Sequence, residues 1–276
     1  LIIFESLSVE QTPPSPETSD PEATWMDVYL DQLRRVVKAH DLRFLRDVVT
    51  DGAYSKQTCV AGVRALELHQ IGKLRADAHV RYLSQGPKRP GPGRQKTYDG
   101  KVNWSDLARF ERLETADEHI VLYHRVLNHM HLKRNLQVVV VVHTQRHRYA
   151  VLFSTDVDLE PQRLSRYYKA RFQIEFLFRD AKQFAGLRDC QARSQAKRAF
   201  HFNASLSTVT FAKLEARHQT GNCDPVFSMA SLKRWAFNQH VIDRICAHLA
   251  NGQSLEKSSP DYETLCNYGI IADEAA

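Results

Sequence analysis

The stretch Tyr168-Lys-Ala-Arg171-Phe-Gln-Ile-Glu175-Phe-Leu-Phe-Arg-Asp-Ala-Lys182 contains no Gly or Pro and runs on from Pro161-Gln-Arg-Leu. Pro161 suits a first helical turn and Gly186 a stop, so the pattern predicts one helix over residues 161–185. Projected at roughly 100° per residue, Arg171 falls at about −60°, Glu175 at about −20° and Lys182 at about −40° from Tyr168. The four share one polar arc. The rest of the circumference is largely apolar (Phe172, Ile174, Phe176, Leu177, Phe178, Ala181). A helix apolar nearly all round is expected to be buried. Burying an unpartnered charge is costly, so a carboxylate among cations on that arc points to a site. An internal ladder pairing Arg171 with Glu175 at i,i+4 fits the same spacing.

The spacing Tyr-x2-Arg-x3-Glu-x6-Lys resembles the YREK signature of the DDE transposases of bacterial insertion sequences. All four positions match. The resemblance implies an RNase H-like fold: a mixed α/β sheet flanked by helices, with a β-rich insertion before the Glu-bearing helix. It also implies that Glu175 is a carboxylate ligand of a divalent metal. By the same resemblance Arg171 and Lys182 contact phosphates of the DNA and Tyr168 packs against its backbone.

A second motif lies upstream. Leu45-Arg-Asp-Val-Val-Thr-Asp51-Gly52-Ala-Tyr54-Ser55-Lys56 reads as a short strand ending at Asp51, a turn at Gly52 and a helix over Lys56–His69. An Asp at the carboxyl end of a strand stands where α/β sheets place their sites. Capping of the turn or helix is the plainer reading of this Asp. The same stretch resembles the second catalytic Asp motif of the family, which implies that Asp51 is a catalytic, metal-binding carboxylate beside Glu175. Ile71–Ala78 reads as a further strand, and its Arg75 either faces DNA, as the resemblance implies, or pairs with Asp77.

Elsewhere the pattern supports the same architecture. Leu1–Glu10 alternates like a strand, residues 11–20 read as a loop, and Glu22–His40 has helical spacing. Residues 84–100 break regular structure with a basic Gly/Pro-rich run, a DNA-contacting loop or a solvated linker. Strands are expected over His119–Val126, Leu136–His143 and Tyr149–Phe153, with a hairpin turn at Arg146-His147. Arg193 and its neighbours bring cations to the start of a helix at 195–217, where phosphate is favoured. A last helix spans Ser228–Ala250, and the segment from Asn251 reads as a frayed tail. The expected segments are a core part at 1–83, the β-rich insertion at 84–158, a helical core part at 159–250 and the tail at 251–276.

Composition sets the bounds. The net charge of +6 and pI near 9.1 permit a polyanionic partner. Five scattered Cys, none spaced C-x2-C, point to reduced thiols in a cytoplasmic protein with no zinc site. No apolar run is long enough to span a membrane. The resemblance implies Mg2+ (or Mn2+) as cofactor and double-stranded DNA, both transposon ends and target, as partner, with a homodimer in a synaptic complex. It also implies a third carboxylate on the first core strand. Leu1–Glu10 offers only Glu5 and Glu10, while Asp27, Asp31, Asp41 and Asp47 sit on or beside the first predicted helix. The chain is therefore expected to be N-terminally truncated, lacking the first catalytic Asp. A remnant that binds DNA without cleaving it is the alternative reading.

Overall fold

The computed structural model describes residues 24–39, 45–86, 95–221, 226–248 and 256–270. The expected Leu1–Glu10 strand, the 11–20 loop, Asp41 and most of the basic Gly/Pro run lie outside these residues. The chain divides between Phe172 and Gln173 into two compact units.

The first unit is built on an eight-stranded mixed sheet. Helix α1 (Trp25–Ala39) leads to β1 (Asp47–Val49), a 3-10 turn at Gly52–Tyr54, α2 (Gln57–Ala65) and β2 (His69–Leu74). Then come β3 (Val80–Leu83), β4 (Tyr98–Lys101), β5 (Glu111–Glu114), β6 (Ile120–His129), β7 (Arg134–His143), β8 (Arg148–Ser154) and α3 (Pro161–Ala170). The strand order is β1-β2-β8-β7-β6-β3-β4, with β5 also on β6. Only β1–β2 is parallel; the other pairs are antiparallel. The fold is thus mixed α/β, a sheet flanked by helices consistent with an RNase H-like fold. The strands of residues 84–158 hydrogen-bond into one sheet with β1–β3.

Period-two alternation makes the two faces. Val139, Val141, Leu152, Ile71 and Leu122 point to the side where α3 packs with Leu164 and, in part, Tyr167 and Tyr168. Val138, Val140, Val151, Phe153 and Leu74 point to the other side, against Val60 of α2, Phe110 and Leu132. A strand buried on both faces needs the unbroken apolar run that Val138–Val142 provides. Outside the sheet α1 closes over α2 through Leu30, Cys59, Val63 and Leu68.

Several expectations are corrected. The helix at Lys56 ends at Ala65, because Glu67 takes a positive φ of 61° and His69 begins β2. β2 stops at Leu74, since Arg75–Ala78 closes a turn through Ala78 N–H to Arg75 C=O. The 161–185 helix is two helices. α3 ends at Ala170, and Arg171 and Phe172 donate their N–H groups to Tyr168 and Lys169, the tight i→i−3 pattern of a helix end.

The second unit begins with α4 (Gln173–Phe184), followed by α5 (Gln195–Thr220), α6 (Met229–His248) and α7 (Pro260–Asn267). The stop after α4 is as expected: Gly186 adopts φ +68°, the left-handed conformation that glycine takes without strain. The expected burial of the 161–185 helix does not hold for α4. Its buried face is only Leu177, Asp180 and Ala181, packed with Leu206, Val209 and Met229. Phe172, Ile174, Phe176 and Phe178 are exposed. Residues 260–267, expected as tail, form α7, with Tyr262 and Cys266 buried and the Tyr262 hydroxyl donating to Asp243 at 3.0 Å.

Candidate active site

Asp51 sits two residues past the carboxyl end of β1, just after Thr50, whose N–H still bonds Ile71 C=O at 2.9 Å. Its backbone is extended, and its side chain makes no capping hydrogen bond to the turn that follows. The capping reading therefore fails, and the carboxylate is turned outward, 61% exposed. The loop is tied to the sheet by Ser55, whose hydroxyl donates to Lys73 C=O at 2.8 Å. Gly72 makes this approach possible: a Cβ there would stand 2.7 Å from the Phe153 ring and 3.3 Å from the Ser55 hydroxyl.

The end of α3 brings two more of the predicted residues to Asp51. The Arg171 guanidinium lies 3.9 Å from the Asp51 carboxylate, and the Arg171 side chain is 18% exposed. It also stands 5.8 Å from the ring centre of Tyr168 and 5.4 Å from that of Phe172. Tyr168 is half-buried against the α3 side of the sheet. Burial pushes its phenol up; the Arg171 charge opposes this and the Asp51 carboxylate reinforces it. Residues more than a hundred positions apart thus form one cluster of carboxylate, guanidinium and phenol. The pair is long and its Asp51 end is exposed, so it adds at most ~1 kcal/mol to stability. Its effect is to place charge at the end of β1.

Asp51 opens onto a concavity of about 1210 Å³ that is also lined by Lys56, Lys73, Arg75, Asp77 and Arg148. Arg75 pairs with Asp77: its guanidinium donates twice to that carboxylate, at 3.0 and 3.1 Å, and both side chains are well exposed. The motifs did not single out Lys73 or Arg148. The available signal was a lysine inside a strand whose neighbours Gly72 and Leu74 are buried.

Glu175 occupies the first turn of α4 and Lys182 its last turn. A carboxylate at a helix N-terminus and a cation at its C-terminus both oppose the helix dipole favourably. They line a depression of about 500 Å³ with Arg179 and Arg188. The Lys182 ammonium stands 5.8 Å from the Phe178 ring centre and the Arg179 guanidinium 5.0 Å from that of Phe176. The exposed aromatic rings of α4 are therefore partly roofed by cations. Arg193 is exposed just before α5 and does not line this depression, whose cations are Arg179, Lys182 and Arg188. Ser194 caps α5, its hydroxyl accepting from Lys197 N–H.

The acidic residues beside α1 are engaged locally. Asp27 accepts from the Thr24 N–H and hydroxyl, and Asp31 pairs with Arg34 and Arg35. Among the described residues no three His, Cys, Asp or Glu side chains come together as a metal cluster. The outward carboxylates of Asp51 and Glu175 are oxygen donors of the kind hard divalent cations take.

The mixed sheet flanked by helices, with a carboxylate past a strand end met by Arg and Tyr from a helix end, is consistent with an RNase H-like fold. The family model described as the transposase DDE domain matches residues 13–210, well over half of the chain. The chain belongs to the DDE transposase family, whose members act in DNA transposition. No curated protein matches the sequence. Among the described residues no helix is long and apolar enough to cross a membrane.

Proposed function

We propose that the chain is a YREK-type transposase that cleaves DNA at transposon ends and joins the freed ends to target DNA. The observation that carries this reading is the meeting of Asp51, Arg171 and Tyr168 at the end of β1, with the Asp51 carboxylate free of capping bonds.

Asp51 and Glu175 are the residues that would hold Mg2+ or Mn2+. When bound, such ions activate the attacking oxygen and stabilise the leaving oxygen of an in-line displacement at phosphorus. Arg171 offers its guanidinium to a phosphate oxygen, for which its planar fork is suited. Its loose pair with Asp51 keeps the site charge-balanced until the polyanion enters. Tyr168, held by packing on the sheet, presents its hydroxyl beside both groups and packs against the sugar-phosphate backbone. Lys182, with Arg188 beside it, contributes phosphate contacts from α4, and Arg75 and Arg193 add outer contacts. These positioning contacts set register without reading sequence. Two such chains would synapse two ends, which makes a homodimer the working assembly.

The test is Glu175→Gln and Asp51→Asn in the parent protein. Each is expected to abolish end cleavage while leaving DNA binding intact. Cleavage retained by either variant overturns the assignment of that residue. A wild-type parent that binds DNA but does not cleave it at any Mg2+ or Mn2+ concentration supports the binding-only alternative.

A further inference from the structure

The concavity beside Asp51 has a charge pattern that the signature residues do not explain. Four cations line it, Lys56, Lys73, Arg75 and Arg148, against two carboxylates, Asp51 and Asp77. Asp77 is taken up by Arg75 and Asp51 stands against Arg171. Lys56, Lys73 and Arg148 form no ion pair with the described residues. All three are exposed. Like charges gathered without counter-ions repel one another, a cost that an anionic ligand removes.

The strand register places them in a row. Lys73 of β2 pairs with Leu152 of β8, and Arg148 starts β8 four residues earlier, opposite His143. Alternation turns Lys73, Leu152, Ala150 and Arg148 to one face, the face carrying α3 and Tyr168. By strand rise and spacing, Lys73 and Arg148 stand roughly 14 Å apart on that face. One DNA strand advances about 3.4 Å per nucleotide along its axis, so the row matches roughly four nucleotides. Its Lys73 end adjoins Asp51 through the Ser55–Lys73 hydrogen bond. Its other end is the β7–β8 hairpin.

We propose that Lys73 and Arg148, with Lys56 at the near end, form a phosphate track. The track guides the strand flanking the scissile bond of the DNA being cleaved, from Asp51 along β8 to the β7–β8 hairpin. It rests on the DNA-processing reading above and adds an exit path and a strand direction to it. The contacts are to backbone phosphates and carry no base preference, so a duplex of arbitrary sequence is a sufficient probe.

The experiment is a salt titration of duplex affinity for the parent protein, for Lys73→Ala/Arg148→Ala and for the charge-matched control Lys38→Ala/Lys101→Ala. The slope of log affinity against log salt is expected to become shallower by about 0.9 for each lost contact, about 1.8 in all, only in the track variant. Lys73→Arg is expected to retain the parent's slope. An unchanged slope in a track variant whose circular dichroism matches the parent overturns the proposal, as does an equal change in the control. Should the double variant misfold, Lys73→Ala and Arg148→Ala singly are each expected to lose about 0.9, and no loss overturns the proposal. A parent that cleaves DNA with Mg2+ while the track variant binds normally removes the track alone. A parent that neither binds nor cleaves DNA removes the functional reading itself.

Discussion

Lowering the pH from 7.5 to 5 should destabilise the sheet unit through His129. This residue ends β6 and is 6% exposed, and its Nδ1 accepts the Leu132 N–H at 3.2 Å. That bond requires a ring nitrogen without a proton. Burial first, then the neighbouring His131 and His79, pushes its pKa down from 6.5 to about 4. The folded state therefore holds His129 neutral where the unfolded chain protonates it. Above pH 6.5 both states are neutral and nothing is lost. Below it the unfolded state gains the proton first, and stability falls by about 1.4 kcal/mol per pH unit until pH 4. At pH 5 the loss is about 2 kcal/mol, which moves a urea midpoint by ~1 M at an m-value of about 2 kcal/mol/M. His129→Asn keeps an acceptor in place but cannot titrate. Urea curves of parent and variant at both pH values should show the pH-dependent loss smaller by that amount in the variant. Equal losses in the two proteins would refute the reasoning.

Three further outcomes are expected. Gly72→Ala drives a methyl into the fully buried Phe153 ring, 2.7 Å away, and should cost about 1–3 kcal/mol, read as a lowered Tm by calorimetry. Arg171→Ala removes the charge that opposes the upward shift of Tyr168, so ultraviolet titration should place that phenol higher still; a fall would contradict the geometry. Cys59 is buried and its thiol is pushed up by burial, so it should react with a thiol reagent far more slowly than half-buried Cys190 at pH 8, counted by mass spectrometry after brief exposure.

The sequence was most legible where local chemistry and tertiary need agree. The β6–β7–β8 meander follows from unbroken or alternating apolar runs, and the Asp51 turn from its glycine. The gathering of Asp51, Tyr168 and Arg171 followed from motif resemblance, because no local rule joins positions so far apart. Helical periodicity misled at α4. It measures apolar content around a circumference, but not which part of that circumference finds a partner. Here Leu177 and Ala181 do, while Phe176 and Phe178 stay exposed, each with a cation near its ring. β4 and β5 escaped notice because Tyr98-Asp-Gly-Lys and Glu111-Arg-Leu-Glu carry little apolar alternation; neighbouring strands recruit their backbones. α7 carries its own start signal, Ser259 as cap and Pro260 at the first position, yet only Tyr262 and Cys266 anchor it in the core.

The valine ladder at the centre of the sheet carries a hazard during synthesis. Val138–Val142 is uncharged, free of Gly and Pro, and strong in β-propensity, a composition that favours chain-to-chain stacking when its backbone is unpaired. β6 covers one edge of β7 as soon as the hairpin closes, but the other edge waits for β8. A ribosome that has released His143 but not Ser154 therefore holds an open apolar edge beside its neighbours on the same message. The short turn before Arg148 keeps that interval brief, and β8 arrives with Arg148 at its leading end, a charge that discourages a foreign strand from docking first.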